Sequence, residues 1–254
     1  MTRDVAAWER MLESMRAFFR GTPNASGGRA VELDGVLATV TPVVPERSLP
    51  NSVVYESEDA LASALDELAT IYDEAGVLAW TVWVPEYHER ARARLQEAGH
   101  VLDAAPTGMI AELDEVQPPR PEDPDPDPEP TLEDLGRIND LAYGTGDAFQ
   151  RIMGRGRADP RFTYIAHADG KPAASVVGHD HAGDCSIWWV ATVPEARGRG
   201  LASGLMRRAF ADGRARGCEV TTLQATRAGR PVYERLGYRP LGAIEMWERR
   251  STPA

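Results

Sequence analysis

Apolar residues recur near the start of the chain as Trp8, Met11, Leu12, Met15, Phe18 and Phe19, mostly three or four positions apart. That spacing predicts one amphipathic helix with a single buried face. Gly21, Pro23 and the Gly27-Gly28 pair end it. Strand-like runs follow at Val36–Val40 and Ser52–Glu56. The helical period returns over Asp59–Ala75, with Leu61, Leu65, Leu68 and Ile71 on one side and Gly76 as the stop. Val77–Val84 alternates like a buried strand, and Pro85–Ala98 reads as a helix ending at Gly99. Short strands near Val101 and over Met109–Leu113 complete this half.

The pattern then breaks at Gln117–Pro130, where seven of fourteen residues are proline and five are acidic. Proline removes N–H donors and the acids repel one another, so an extended spacer is expected. Beyond it, Thr131–Tyr143 reads as a helix that Thr131 can cap, with Asp134 in the first turn, and Asp147–Arg155 as a shorter helix. Three strands follow, Phe162–His167, Pro172–His179 and Cys185–Val193, the first two joined by Asp169-Gly170. A helix over Leu201–Arg216, a strand over Val220–Thr226, a short helix over Pro231–Leu236 and a strand over Ala243–Trp247 finish the chain. The expected domains are thus 1–116, a spacer over 117–130, and 131–254.

Composition narrows the function classes. Residues 1–130 hold 10 Arg against 25 acids, a charge of −15, and the remainder holds 18 cations against 14 acids, a charge of +4. An acidic chain of this kind is a poor nucleic-acid binder. The second half could still hold a small polyanion. The longest apolar run, near Ile187–Val190, is far too short to span a bilayer. Asp4, Glu9 and Glu13 interrupt the first helix, so it does not read as a signal peptide. Cys185 and Cys218 make neither a disulfide framework nor a metal-site spacing. They read as buried small hydrophobes. The expectation is a cytoplasmic protein with no metal, no nucleic acid and no membrane partner.

One segment carries chemistry. The strand ending Trp189-Val190-Ala191-Thr192-Val193-Pro194-Glu195 runs through Ala196 into Arg197-Gly198-Arg199-Gly200, and a helix starts at Leu201-Ala202. A helix N-terminus leaves about four N–H groups unpaired and carries roughly half a positive charge. Glycines let a ligand approach that backbone, so the turn reads as a phosphate cradle. Gly154-Arg155-Gly156-Arg157 has the same composition without the strand and long helix around it, and reads as a loop.

With those residues in view, positions 131–254 resemble a GNAT-type acyl-CoA N-acyltransferase. The family's Q/R-x-x-G-x-G/A signature is matched by Arg197, Gly200 and Ala202, and its Y-E-[KR]-x-G-[FY] segment by Val232-Tyr233-Glu234-Arg235-Leu236-Gly237-Tyr238. The resemblance implies an α/β (α+β) fold, a mixed sheet flanked by helices, with acetyl-CoA or another short acyl-CoA as co-substrate. It implies that the main chain of Ala191, Thr192 and Val193 pairs with the pantetheine arm. It implies that the N–H groups of Gly198, Arg199, Gly200, Leu201 and Ala202 hold the pyrophosphate, framed by Arg197 and Arg199. Tyr233 falls where the family often places a general acid for the departing thiolate. Thr226 stands where the family often has Asn, which puts one cofactor contact in doubt.

The implied reaction is attack of an amine on a thioester. A base must take the amine's proton, and Asp184, His181 and His179, near the turn before the Cys185–Val193 strand, are all open candidates, as is a bland solvated hairpin tip. Of Trp188 and Trp189, on opposite faces of that strand, one is expected in the core and the other could line an acceptor cleft.

The first half repeats the second weakly. Setting Gly99 on Gly237 puts Leu95 on Tyr233, and acids Glu56 and Glu58 stand where the glycine turn would be. This reads as a smaller, degenerate GNAT-like unit, as in tandem proteins of that family, or as an unrelated α+β domain. The expected activity is acyl transfer to a primary amine of a small molecule, or to a peptide or protein N-terminus. The alternatives are a non-catalytic acyl-CoA-binding regulator and a docking module for a basic partner.

Overall fold

A computed structural model describes residues 4–22 and 27–251. By packing, the chain forms two compact units that are not contiguous in sequence. One comprises Met1–Ser14 with Met109–Leu241, and the other Met15–Gly108 with Gly242–Ala254. The first helix, α1 (Val5–Gly21), contributes its first half to one unit and its second half to the other.

In the second of these units, strands β1 (Arg29–Leu33), β2 (Val36–Val40) and β3 (Ser52–Tyr55) form an antiparallel meander. Helix α2 (Glu58–Glu74) crosses over to β4 (Ala79–Pro85), which lies parallel to β3. Helix α3 (Glu89–Glu97) and β5 (Val101–Ala104) follow. The chain's last strand, β11 (Arg239–Arg250), pairs with β4 over Ile244–Arg250 and with β5 over Met246–Glu248. Leu61, Leu65 and Leu68 of α2 are buried against Val36, Val53, Val82 and Val84. Tyr72 stacks on Trp80 and donates its hydroxyl to Thr39 O.

The other unit contains most of β6 (Thr107–Glu112), then α4 (Leu132–Tyr143), α5 (Ala148–Met153), β7 (Thr163–Ala168), β8 (Lys171–His181), β9 (Asp184–Thr192), α6 (Leu201–Ala215), β10 (Val220–Ala225) and α7 (Arg230–Leu236). The strand order is β6-β10-β9-β8-β7. Phe210, Leu205 and Ala209 of α6 are buried with Tyr164, Val176 and Ile187 of the sheet. Thr131 caps α4 as its sequence suggests, its Oγ1 accepting from Asp134 N. Both units are mixed sheets flanked by helices.

Four elements differ from the sequence expectation. Strand β11 runs over Arg239–Arg250 rather than Ala243–Trp247. Strand β1 was not anticipated, α3 begins at Glu89 rather than Pro85 because β4 continues to Pro85, and Gln117–Pro130 is no free spacer. It has neither helix nor strand, yet it is strapped to the fold. Asp123 and Arg207 of α6 form a buried ion pair. Asp127 N donates to Ile165 O on β7 at 2.8 Å, and Gln117 Nε2 to Arg235 O at 2.6 Å. Gly204 makes room for the strap, because a Cβ there would stand 2.5 Å from Pro124 Cδ. Proline still imposes the extended backbone. The acids, however, find arginines, which offset the repulsion that would otherwise drive the segment into solvent.

Candidate functional site

Strand β9 is bonded to β8 on one side along its length, but its only register with β10 is Val220 to Asp184, at the N-terminal ends of both. Beyond that point the two parallel strands are not paired, which leaves an open edge along β9. Between Trp188 and Ala191, β9 takes three steps against two on β8. The extra residue makes a β-bulge, and Trp189 there has a φ of +48°, a conformation that few non-glycine residues adopt.

Past the bulge, Val193 N bonds Ala173 O on β8, and alternation turns the polar groups of Thr192 and Val190 to the open side. There the hydroxyl of Tyr143 donates to Val190 O at 2.6 Å, and Arg197 Nε donates to Thr192 O at 3.3 Å.

A short turn of 3-10 helix, Pro194–Ala196, leads from the strand to the glycine turn. Gly198 and Gly200 both have φ of +76°, and open space surrounds the position of a Cβ on each. Gly200 is the N-cap of α6 and supplies no side-chain cap. Among the described residues no protein group accepts from the N–H groups of Gly198 through Ser203; the first bonded amide of the helix is Gly204 N, to Gly200 O. The turn thus presents a row of adjacent N–H donors at the start of a helix. A tetrahedral anion fits it on the ground of those unmet donors. Both arginines of the turn instead face protein. Arg197 also bonds Ala142 O at 2.9 Å, and Arg199 pairs with Asp169 at 3.0 Å.

Tyr233 lies on α7 with its ring against the core cluster that includes Leu236 and Tyr238, to which Val190 also packs. Burial pushes its pKa up, and the nearby Tyr143 hydroxyl adds to that effect. Tyr233 is thus a proton carrier throughout the neutral range. Thr226 Oγ1 accepts from Gly229 N at 3.1 Å, closing the turn into α7. Trp188 is the buried member of the tryptophan pair, its Nε1 donating to Ser186 Oγ. A groove of about 400 Å³ lined by Arg137, Leu141, Lys171, Val193, Glu195 and Arg199 adjoins the turn, on the β7–β8 hairpin side.

The three base candidates sit elsewhere. Asp184 begins β9, six residues before Val190, which is about 20 Å at strand rise. His181 pairs with Glu13 at 3.4 Å, and burial lowers the pKa of His179. Asp184 is fully buried and accepts from Thr222 Oγ1 at 2.6 Å. Desolvation raises its pKa to about 6, partly offset by Ser14, Thr222 and Arg10.

A folded-state pKa above the unfolded value means that the folded chain holds this proton more tightly. Stability from this group is therefore full below about pH 4 and is lost as pH rises through 6. Asp184→Asn is expected to be more stable than the wild type above pH 7, by about 3 kcal/mol at most, with the gain vanishing near pH 4. Melting temperatures across pH 4–8 check this; parallel curves for the two proteins would refute it. The cysteines behave as expected: both are buried and free, and burial raises the Cys218 thiol to about 11.

In the other unit, the β3–α2–β4 crossover has the same parallel form but a different end. Ser57 caps α2, its side chain accepting from Ala60 N, and Glu58 and Asp59 fill the first turn. The Tyr55 hydroxyl and His88 Nδ1, 2.9 Å apart, join the end of β3 to the N-terminus of α3. Leu95, set opposite Tyr233 by sequence, is fully buried.

Among the described residues no cluster of three or more His, Cys, Asp and Glu side chains could hold a metal ion, and no helix is long and apolar enough to cross a membrane.

Comparison with known proteins gives a match of residues 159–240 to the acetyltransferase (GNAT) domain family. Among solved structures, a GCN5-related N-acetyltransferase from Kribbella flavida superposes with a TM-score of 0.68 at 16% identity, covering 98% of this chain and 96% of that one. One of unknown function from Staphylococcus epidermidis gives 0.61 at 14%, covering 89% and 96%. A GCN5-related N-acetyltransferase from Sphaerobacter thermophilus gives 0.56 at 18%, covering 94% and 92%. No curated protein matches the sequence. The fold is thus GNAT-like, and the family match falls within the segment where the sequence motifs lie.

Proposed function

We propose that this chain, whose residues 159–240 form a GNAT-type acetyltransferase domain, moves an acetyl group from acetyl-CoA to a primary amine. The acceptor is a small molecule, with a peptide or protein N-terminus as the next class, and the setting is cytoplasmic. The observation that carries this is the uncapped turn at Gly198–Ser203, six adjacent N–H groups at the start of α6 without a protein acceptor among the described residues. Such a cradle suits the pyrophosphate of CoA. From there the edge of β9 leads past Val193, Thr192 and Ala191 toward Tyr233; of these only Thr192 turns its main-chain groups to the open side, and its carbonyl accepts from Arg197, so pairing with a pantetheine amide falls to the Thr192 N–H.

In the reaction, the amine nitrogen bonds the thioester carbon, the C–S bond breaks, the sulfur takes up a proton that Tyr233 supplies, and the proton that nitrogen sheds as the amide forms returns through solvent to the Tyr233 oxygen. The ammonium form must first lose a proton, which costs about 4–5 kcal/mol at pH 7 for a pKa near 10.4. With Asp184, His181 and His179 remote, we assign that proton to water at the open edge. The unit that contains Met109–Leu241 holds this chemistry, and the unit that contains Met15–Gly108 is a degenerate GNAT-like copy, so the boundaries expected at 116 and 131 give way to this division. Thiol release on mixing the full chain with acetyl-CoA and a panel of amines tests the reading. Release with no amine of the panel, together with CoA binding, would leave a binder rather than an enzyme.

The full chain is expected to bind one CoA. The α2 terminus is already capped by Ser57, Glu58 and Asp59 oppose a polyanion, and Tyr55 with His88 ties the end of β3 to the N-terminus of α3. Calorimetry reads the stoichiometry directly. A value near two, with one site surviving Gly200→Asp, would overturn the assignment of the first unit.

A further inference from the structure

Tyr143 was not singled out by sequence, and the proposed chemistry does not use it. It ends α4, and half of its surface is exposed. Its hydroxyl is nevertheless turned in to Val190 O, next to the bulge. The ring is backed by Phe149 of α5, stacked at 5.9 Å between centroids.

The turn that carries it is fixed from below. The buried Asp140 carboxylate accepts from Thr145 Oγ1, Phe149 N, Gln150 N and Gln150 Nε2, all within 3.1 Å. Arg197 adds a tie from the glycine turn to Ala142 O. A half-exposed aromatic ring is thus tied by its hydroxyl to the edge of β9 and by its face to Phe149, within electrostatic reach of Tyr233.

We propose that Tyr143 is the specificity-determining residue for the acyl group: its ring walls the end of the open edge and admits acetyl while opposing longer chains. The inference rests on the acyl-CoA reading above. The thioester of an arm lying along Ala191–Val193 reaches the Val190 level beside Tyr233, so its acyl carbons extend toward the Tyr143 ring. The ring cannot swing aside without breaking the Val190 bond and leaving Phe149. An acetyl methyl is short enough to stop before the ring, whereas a butyryl chain carries two more methylenes into it.

The test is calorimetry on the full chain with free CoA, acetyl-CoA and butyryl-CoA, in the wild type and in Tyr143→Phe, Tyr143→Leu and Tyr143→Ala. The wild type is expected to prefer acetyl-CoA to butyryl-CoA by about tenfold or more, the discrimination that one or two methylenes give in a close-fitting site. The preference should persist in Tyr143→Phe, which keeps the ring, fall in Tyr143→Leu, and disappear in Tyr143→Ala. A residue that only supports the fold would shift both acyl-CoAs together and leave their ratio unchanged, and that result overturns the proposal. Failure of the wild type to bind even free CoA instead overturns the acyl-CoA reading on which it rests.

Discussion

Tyr233→Phe is expected to lower turnover by about 10²–10⁴, the usual reach of general acid–base catalysis, or roughly 3–5 kcal/mol of barrier. The substitution is close to a clean deletion of one proton. The Tyr233 ring packs on the core cluster and meets Tyr238 edge-on at 6.0 Å between centroids, and Phe keeps both contacts. Among the described residues no protein group hydrogen-bonds the Tyr233 hydroxyl, so folding stability should be almost unchanged. Acetyl-CoA affinity should also change little, because the lost group acts as the C–S bond breaks. Burial keeps the hydroxyl protonated well past neutral pH, so activity should show no loss from its ionisation between pH 6 and 9. Steady-state kinetics with a thiol reagent, alongside a melting curve, decide the matter. Near-normal turnover in a stable variant would reduce Tyr233 to a packing residue.

Gly200→Asp is expected to abolish CoA binding in a protein that stays folded. The carboxylate would sit at the mouth of the donor cradle and offer its own oxygens to the N–H groups that a pyrophosphate needs. It would also add like charge against that anion. The fold should tolerate the change because nothing lies within 4 Å of the new Cβ. The φ of +76° costs about 1–2 kcal/mol for a side-chain-bearing residue, and Asp is among those that best accept it. Calorimetry with CoA, supported by circular dichroism of the variant, is the measurement. Wild-type affinity in a folded variant would remove the cradle from the function.

The parts of this reading that were legible in sequence are those fixed by local chemistry. The glycine turn needs two positive-φ residues before a helix, and the sequence displays both. The α2 and α6 faces follow from leucine and alanine periodicity alone. Most of what escaped was set by distant partners. Strand β1, Arg-Ala-Val-Glu-Leu, is short, carries two charges and lacks a continuous apolar run, so it was passed over although it pairs with the neighbouring β2. The strap over α6 could not be foreseen, because composition reports proline and acid but not the arginines 80 residues on that receive them. The same holds for Asp184: its position near a turn suggested chemistry, whereas pairing places it at the closed end of β9. Tyr143 looked like the last residue of a helix, and only the Val190 carbonyl it meets marks it out.

The last strand has a consequence for how the molecule is made. The Ile244–Arg250 stretch of β11 completes the sheet that begins at Arg29, lying between β4 and β5 over Met246–Glu248. A ribosome delivers β5 about 140 residues before it delivers that stretch, a wait of roughly 7–28 s at about 5–20 residues per second. Through that interval β4 and β5 have one edge each without the partner they will finally have, while the intervening segment emerges and collapses. The order of synthesis and the order of folding are therefore at odds in this chain. Its yield in a cell should depend on what shields those edges until Ile244–Arg250 has emerged, and so on the integrity of that one stretch.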